Sequence, residues 1–118
     1  MKKQKIELTI NDYNLKTNGY LNNEILSFFD KDTNNTEIII DLNNDILIRN
    51  NEDYKIKIDF QKKIIEYKLK KENFTFDQDI NIIMLKKNKN EYIINYQIEQ
   101  TLYNMQIIYK EETLWKKN

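Results

Sequence analysis

The chain of 118 residues is the size of one domain, and its 19 basic and 19 acidic side chains leave no net charge. It contains neither cysteine nor histidine, which excludes thiol nucleophiles, disulfides, imidazole bases and the usual zinc ligands. No spacing of carboxylates, lysines or tyrosines proposes an acid–base pair or a cation site. We therefore expect a single domain over residues 1–118 that is not an enzyme and uses no metal or cofactor.

Apolar and polar residues alternate along most of the chain. In the segment 54–60, Tyr-Lys-Ile-Lys-Ile-Asp-Phe, every second side chain is large and apolar. Successive side chains of a β-strand point to opposite faces, so this pattern predicts a strand with one buried and one solvated face. About ten such runs, bounded by Asn and Asp clusters, are predicted over residues 5–10, near 20, 24–30, 36–42, 46–50, 54–60, 64–70, 74–84 with an interruption, 91–98 and 103–110.

Short connections between these runs predict antiparallel pairing of sequential strands. The chain has one glycine, so asparagine is expected at the turn positions that need a positive φ. The predicted loops and their flanking pairs are 43–45 with Leu42 opposite Ile46, 62–63 with Ile58 opposite Tyr67, and 87–89 with Met84 opposite Tyr92.

One face of the predicted meander is apolar from strand to strand. Closing the sheet on itself buries that face without leaving long exposed edges. The sequence therefore predicts an all-β fold, an antiparallel up-and-down barrel. Residues 112–118, which include Trp115, are expected to form a frayed tail or a single helical turn.

Several segments of the chain resemble the YwiB-like bacterial family of unknown function. They are Lys5–Ile10, Gly19–Tyr20, Asn23–Phe29, Ile46–Arg49 followed by Phe60, Tyr67–Leu69 and Met105–Tyr109. The resemblance covers roughly residues 3–111 and departs from the family pattern at Asn51 and at Glu72–Asn73, where the family has glycine. It implies a calycin-type (lipocalin-like) barrel, a shape related to that of small-ligand carriers, and it brings no established activity.

The N-terminal segment begins with lysines but continues as Ile6-Glu7-Leu8-Thr9-Ile10, which alternates and does not form the apolar core of a signal peptide. The longest apolar stretches are only a few residues, too short to span a membrane. We expect a cytoplasmic protein that does not associate with membranes.

Arg49 is the only arginine of the chain. On the inner face of a barrel, its planar guanidinium would suit a ligand carboxylate. The predicted hairpin instead places Arg49 on the outer face, opposite Ile39 and diagonal to Glu37 and Asp41. We therefore expect a surface ion pair at this position.

Large side chains share the predicted inner face and are expected to be largely buried, namely Ile56, Ile58, Phe60, Tyr67, Leu69, Ile94, Tyr96, Met105 and Ile107. Four residues of this face are predicted to line a cavity for a small apolar or amphipathic ligand: Tyr67, Tyr96, Met105 and Tyr109. The alternative is a packed core. A barrel of about eight strands is only just wide enough for its own side chains, and the chain has no alanine or valine to make room. Ligand binding is the leading hypothesis for function, with a solid barrel as the alternative.

The hairpin over residues 54–71 carries seven lysines against two carboxylates, whereas the segment 21–53 carries eight carboxylates against two basic residues. The predicted register puts Lys57 opposite Lys68 and Lys55 opposite Lys70 on the outer face. This face is the predicted site for a polyanion or a partner subunit, including a second copy of the chain. The alternative role of the lysines is protection of an exposed edge. Nucleic acid is not the expected polyanion, because the net charge is zero and the pI is about 6.3.

Overall fold

The computed structural model describes residues 1–33 and 35–112. The regular secondary structure of these residues consists of β-strands. Among the described residues there is no helix long and apolar enough to cross a membrane. The predicted tail lies outside the described residues from Thr113 onward, Trp115 included. The eleven described strands are Lys2–Ile10 (β1), Tyr13–Asn22 (β2), Ile25–Asp30 (β3), Thr36–Asp41 (β4), Ile46–Asn50 (β5), Tyr54–Asp59 (β6), Ile64–Leu69 (β7), Phe74–Asp79 (β8), Asn81–Asn88 (β9), Glu91–Ile98 (β10) and Thr101–Glu111 (β11).

The strands form one antiparallel sheet in the order β8-β7-β6-β5-β4-β3-β2-β1-β11-β10-β9. Strands that follow one another in the chain are therefore paired, and β1 also pairs with β11, from Gln4 opposite Glu111 to Ile10 opposite Met105. The exception is the step from β8 to β9, which are joined through Ile80 but are not paired with each other. We call this unpaired step the seam. The result is a nearly closed up-and-down barrel, which confirms the predicted fold class.

The core lies on the inner face of the barrel. Residues directly opposite one another in paired strands share a face. One such inner row runs from β2 to β8 through Gly19, Phe28, Ile38, Arg49, Ile56, Tyr67 and Phe76. Most residues predicted to be in the core are buried, namely Ile58, Phe60, Ile94, Tyr96, Met105 and Ile107. The predicted core residues on the inner side of β6 and β7 near the seam, Ile56, Tyr67 and Leu69, are only partly buried.

Asparagine takes left-handed turn positions, as expected. Five asparagines in the described turns have φ between 49° and 66°: Asn11, Asn23, Asn35, Asn73 and Asn90. Asparagine tolerates this region better than most side chains do. The near absence of glycine is therefore compatible with tight connections between the strands.

The predicted loops at 43–45, 62–63 and 87–89 all have the wrong length. The loops after Asp41 and Asp59 hold four residues each. In both, the aspartate that ends the strand accepts hydrogen bonds from the backbone N–H groups two and three residues later, which fixes the turn. The third connection is a two-residue turn, Lys89–Asn90, and it places Lys87 opposite Tyr92.

Gly19 lies where β2 comes too close to its neighbours for a side chain. A Cβ atom there would lie 2.3 Å from the carbonyl oxygen of Ser27 on β3 and 2.6 Å from Cδ1 of Ile6 on β1. The backbone φ of Gly19 is not positive, so the residue is required by packing and not by a turn conformation. The absence of a side chain at Gly19 therefore allows β2 to pack closely against Ile6 of β1 and Ser27 of β3.

Candidate binding sites

Side chains of β8, β9 and β10 reach across the barrel to loops of other strands. Lys87 of β9 and Tyr92 of β10 both reach Asp45 in the loop between β4 and β5. Lys87 Nζ lies 3.1 Å from Asp45 Oδ1, and the Tyr92 hydroxyl donates a hydrogen bond to the same oxygen at 3.0 Å. Gln78 Nε2 of β8 donates to Glu99 Oε1 at 2.7 Å. These contacts connect parts of the sheet that strand pairing does not join.

Beside the seam, the inner face of the sheet is exposed. The two inner phenylalanines of β8, Phe74 and Phe76, are 52% and 39% exposed, and Tyr54 and Leu69 are only half-buried. The reason is that β8 is an edge strand, which pairs with β7 on one side only. The inner face of β8 is therefore accessible to solvent.

Four aromatic rings lie beside this exposed face in two stacked pairs, and one of them, Tyr96, is 6% exposed and belongs to the buried core. Tyr67 stacks on Phe76 with ring centroids 4.6 Å apart, and Tyr96 stacks on Tyr103 at 5.1 Å. Burial, followed by the neighbouring Tyr103 and Glu99, raises the pKa of Tyr67. The first pair therefore faces the hairpin that carries the second. We call these four rings the aromatic cleft.

Arg49 lies on the inner face, in the row that continues into the aromatic cleft. It is opposite Ile38 on β4 and Ile56 on β6, and Ile38 is only 1% exposed. The predicted surface ion pair with Glu37 and Asp41 is therefore wrong. The four-residue loop after Asp41 shifts the register of β5 by one residue, and such a shift moves every side chain of a strand to the other face.

No carboxylate oxygen of the described residues lies within 4.0 Å of the Arg49 guanidinium. Burial acts to raise the pKa of Tyr54, but hydrogen bonding to Thr36 and Arg49 and the positive charge of Arg49 lower it. Burial and then Tyr103 raise the pKa of Tyr96 to about 12, against the opposing charge of Arg49. The guanidinium thus lies beside the Tyr54 hydroxyl and within electrostatic reach of the aromatic cleft.

A buried aspartate lies within electrostatic reach of Arg49. Asp30 is 0% exposed, and its Oδ1 accepts hydrogen bonds from the Tyr13 hydroxyl at 2.8 Å and from the Asp32 N–H at 3.1 Å. Burial favours its neutral form, but the Thr33 and Tyr13 hydroxyls and the charge of Arg49 hold its pKa below the usual value. Asp30 Oδ2 is buried and has no hydrogen-bond partner among residues 1–33 and 35–112. The ionised carboxylate is stabilised chiefly by local donors and not by direct contact with Arg49.

The structure brings two of the four predicted ligand residues together. Tyr67 and Tyr96 both belong to the aromatic cleft. Met105 is 1% exposed and lies in the closed core. Tyr109 lies towards the end of β11, where burial and then Glu24 raise its pKa. The four residues therefore do not line one cavity.

The four lysines of the predicted binding face have outward-facing positions, but their register differs from the prediction. Lys55 is opposite Lys68, whereas the neighbouring Lys57 is opposite Glu66. Lys70 lies beyond the end of β7, where its Nζ donates a hydrogen bond to a backbone carbonyl in the loop between β5 and β6. One like-charge pair remains across these two strands, between Lys55 and Lys68.

Several concave sites lie on the surface, and two of them are lined by three lysines each. A groove of about 420 Å³ crosses β11, β1 and β2, and its lining includes Lys5, Lys16, Ile108 and Lys110. A depression of about 210 Å³ lies among Lys55, Lys57, Lys68 and Thr75. No group of three or more carboxylates arranged to hold a metal ion occurs in the part of the chain that the structure describes. Both grooves are bordered by lysines, whereas the aromatic cleft lies on the inner face of the sheet.

Comparison with known proteins gives no relative from which a function could be transferred. No family model matches the chain, and no curated protein or solved structure matches it significantly. A functional proposal therefore depends on the chemistry of the described residues.

Proposed function

We propose that the protein is a non-enzymatic binding protein that holds a small apolar or amphipathic ligand in the aromatic cleft. One observation supports this proposal above the others. The inner face is buried around most of the barrel but is exposed at Phe74 and Phe76, beside the seam. An apolar surface that the fold leaves uncovered is the usual site of binding.

The exposed surface sets the scale of apolar binding. Fully burying a phenylalanine side chain contributes about 1.5–3 kcal/mol. Covering the three partly exposed rings of the cleft, Tyr67, Phe76 and Tyr103, therefore contributes about 2–5 kcal/mol. A binding free energy of about −4 kcal/mol corresponds to a Kd of about 1 mM. Apolar contact alone therefore gives weak binding, and a specific ligand needs a polar contact as well.

We also propose that the chain belongs to the YwiB-like family with its calycin-type barrel, and that it acts in the cytoplasm. The up-and-down strand order supports the barrel class. The segments that carry the resemblance include β1 and the end of β11, which pair with each other.

The test begins with protein as purified. Native mass spectrometry or solvent extraction should release a stoichiometric small molecule. The neutral fluorescent probe N-phenyl-naphthylamine should bind saturably, and the extracted molecule should displace it. Replacing Phe76 by Ala should weaken probe binding by about tenfold, since roughly half a ring of apolar contact is lost.

Phe29→Ala provides the matched control. Phe29 is 46% exposed, close to the exposure of Phe76, but it lies on the outer face opposite Glu37. This variant should bind the probe as the parent does. Absence of both probe binding and extracted ligand would contradict the proposal, as would probe binding that Phe76→Ala leaves unchanged.

A second candidate function is an interaction protein that binds a polyanion or a partner subunit through the lysine-bearing face of β6 and β7. The observation that favours it is the placement of Lys55 directly opposite Lys68. Like charges across a strand pair are unfavourable, and a bound anion would relieve the repulsion.

A further inference from the structure

The charge of Arg49 narrows the class of ligand. We infer that the ligand of the aromatic cleft is an anion, an amphiphile whose carboxylate, sulfonate or phosphate group is bound by the inward-facing guanidinium of Arg49 next to the Tyr54 hydroxyl. This inference rests on the proposed function, because it concerns the same cleft.

Arg49 is positioned within reach of a ligand bound in the aromatic cleft. Arg49 shares its inner row with Ile56, Tyr67 and Phe76, each directly opposite the next on adjacent strands. Neighbouring antiparallel strands are about 5 Å apart, so the guanidinium lies within the length of a small molecule from the aromatic rings. A ligand lying along this row would place its apolar body on Tyr67 and Phe76 and its other end at Arg49.

The guanidinium of Arg49 has hydrogen-bond donors that no carboxylate of the described residues occupies. An arginine carries five N–H donors, and this one is half-buried on the inner face without a carboxylate oxygen within 4.0 Å among the described residues. A partly buried cation is stable when it is paired. The nearby Asp30 is engaged by Tyr13 and by the backbone of its own loop, and Tyr54 takes one donor of Arg49. The other donors have no carboxylate partner among residues 1–33 and 35–112 and can bind a ligand.

Carboxylates of the described residues act on Arg49 and on the cleft through their charge. Asp30 interacts with Arg49 through its charge and is 0% exposed. Glu99 interacts with Tyr67 through its charge and accepts a hydrogen bond from Gln78 at Oε1. Neither is in contact with Arg49. An anionic group can therefore approach the guanidinium directly, and a planar carboxylate can take two parallel N–H donors from it.

The experiment compares two probes of the same shape. Anilinonaphthalene sulfonate is the anionic counterpart of the neutral N-phenyl-naphthylamine, so the two differ in one charged group. Arg49→Gln should weaken binding of the anionic probe by about 10–100-fold, the usual effect of losing a charge-assisted hydrogen bond, and should leave the neutral probe within about twofold. Arg49→Lys should give an intermediate loss, because the charge remains but the paired donors do not.

Lys31→Gln is the matched charge control. Lys31 is exposed in the turn after β3, next to Asp30, which lies within electrostatic reach of Arg49, so this variant removes one positive charge in the same region without altering the cleft or the lysine-bearing face of β6 and β7. It should bind both probes as the parent does. Equal loss of the anionic probe in the two variants would overturn the inference, because binding would then follow net charge and not the guanidinium.

A measurement on the unaltered chain guards against misfolding of the Arg49 variants. Naphthoate should displace the neutral probe at concentrations at least about tenfold lower than its methyl ester does. Equal displacement by acid and ester would overturn the inference while leaving the proposed function in place. Failure of the neutral probe to bind at all would instead overturn the proposed function.

Discussion

The hydroxyl of Tyr92 on β10 donates a hydrogen bond to Asp45 Oδ1 in the loop between β4 and β5, at 3.0 Å. The same carboxylate receives Lys87 Nζ at 3.1 Å on Oδ1 and Gln61 Nε2 at 3.1 Å on Oδ2. Asp45 is only 7% exposed, so these donors compensate for the loss of its hydration. Three segments distant in the sequence thus meet at one carboxylate.

Replacing Tyr92 by Phe should lower the free energy of unfolding by about 1–3 kcal/mol, because a buried acceptor loses one donor. Urea unfolding followed by circular dichroism measures the change. Tyr20→Phe is the control, since Tyr20 is 44% exposed on the outer face, and it should change stability by less than about 0.5 kcal/mol. Equal effects of the two changes would show that the contact to Asp45 does not stabilise the closed barrel.

Replacing Gly19 by Ala should destabilise the protein by about 1–3 kcal/mol or more. The added methyl group would lie 2.3 Å from the Ser27 carbonyl oxygen, and a backbone atom in a central strand cannot move aside cheaply. In an unconstrained strand the same change would be neutral or favourable, because glycine loses the most conformational entropy on folding. Thermal unfolding of Gly19→Ala beside Asn18→Ala, an exposed neighbour on β2, distinguishes the two cases.

Much of the fold could be predicted because a register error of two residues leaves each side chain of a strand on the same face. The β6–β7 hairpin was predicted with Ile58 opposite Tyr67, whereas Ile58 is opposite Ile65. This error is two residues, and the side-chain period of a strand is also two, so each side chain kept its face. The inward position of Ile56 and the outward position of Lys55 were therefore predicted correctly.

The candidate site could not be predicted because alternation fixes neither the face on which Arg49 lies nor the exposure of Phe76. The residues before Arg49, Ile46-Leu47-Ile48, are apolar on both faces, so their pattern does not say which face the arginine takes. Its face depends on the loop after Asp41, whose length is set by the hydrogen bonds that the aspartate accepts. The exposure of Phe76 likewise depends on β8 having no second partner, which alternation does not reveal.

Truncation separates the cleft from the core. Ile94 is 0% exposed, and Ile94→Ala should cost about 2–5 kcal/mol as a buried cavity. Tyr67, which is predicted to be largely buried, is only half-buried, so Tyr67→Ala should cost roughly half as much as truncating a fully buried aromatic ring, about 1.5–2.5 kcal/mol. Tyr67→Ala should nevertheless abolish binding of the neutral probe. If denaturant titrations gave the larger loss for Tyr67, that ring would be part of the core and not of a binding site.

Alkaline pH should destabilise the protein through Tyr96. Burial raises its pKa to about 12, above the value of about 10 in the unfolded chain. The stabilisation linked to its proton is complete below pH about 10 and is lost as the pH rises to about 12. Tyr96→Phe should therefore lose less stability across this interval than the parent, as measured by urea midpoints. A parallel decline in both proteins would contradict the shifted pKa.

The lysines of β6 and β7 should differ in their effects on stability. Lys55→Gln relieves the repulsion with Lys68 and should leave the free energy of unfolding unchanged or raise it by about 0.2–1 kcal/mol. Lys70→Gln removes the hydrogen bond to the carbonyl of Asn51 and should lower it by about 0.5–1.5 kcal/mol. Urea unfolding of the two single variants measures this contrast, and the same sign for both would contradict the observed register.

The combined change of Lys55, Lys57, Lys68 and Lys70 to Gln tests recognition by this face. If the face binds a polyanion such as heparin or a second copy of the chain, the variant should lose that association. Binding by the parent should also weaken steeply with salt, because exposed charges are screened within about 8 Å at physiological ionic strength. A variant that associates as the parent does but precipitates more readily would assign the lysines to edge protection.

The pairing of β1 with β11 governs how the chain reaches this structure. Gln4 lies opposite Glu111, so the ladder between β1 and β11 forms only when two segments far apart in the sequence meet. Hairpins between successive strands close short loops and form early, whereas this ladder requires the closure of a very long one. We expect refolding on the millisecond-to-second scale typical of non-local β-proteins, with the ladder between β1 and β11 forming last.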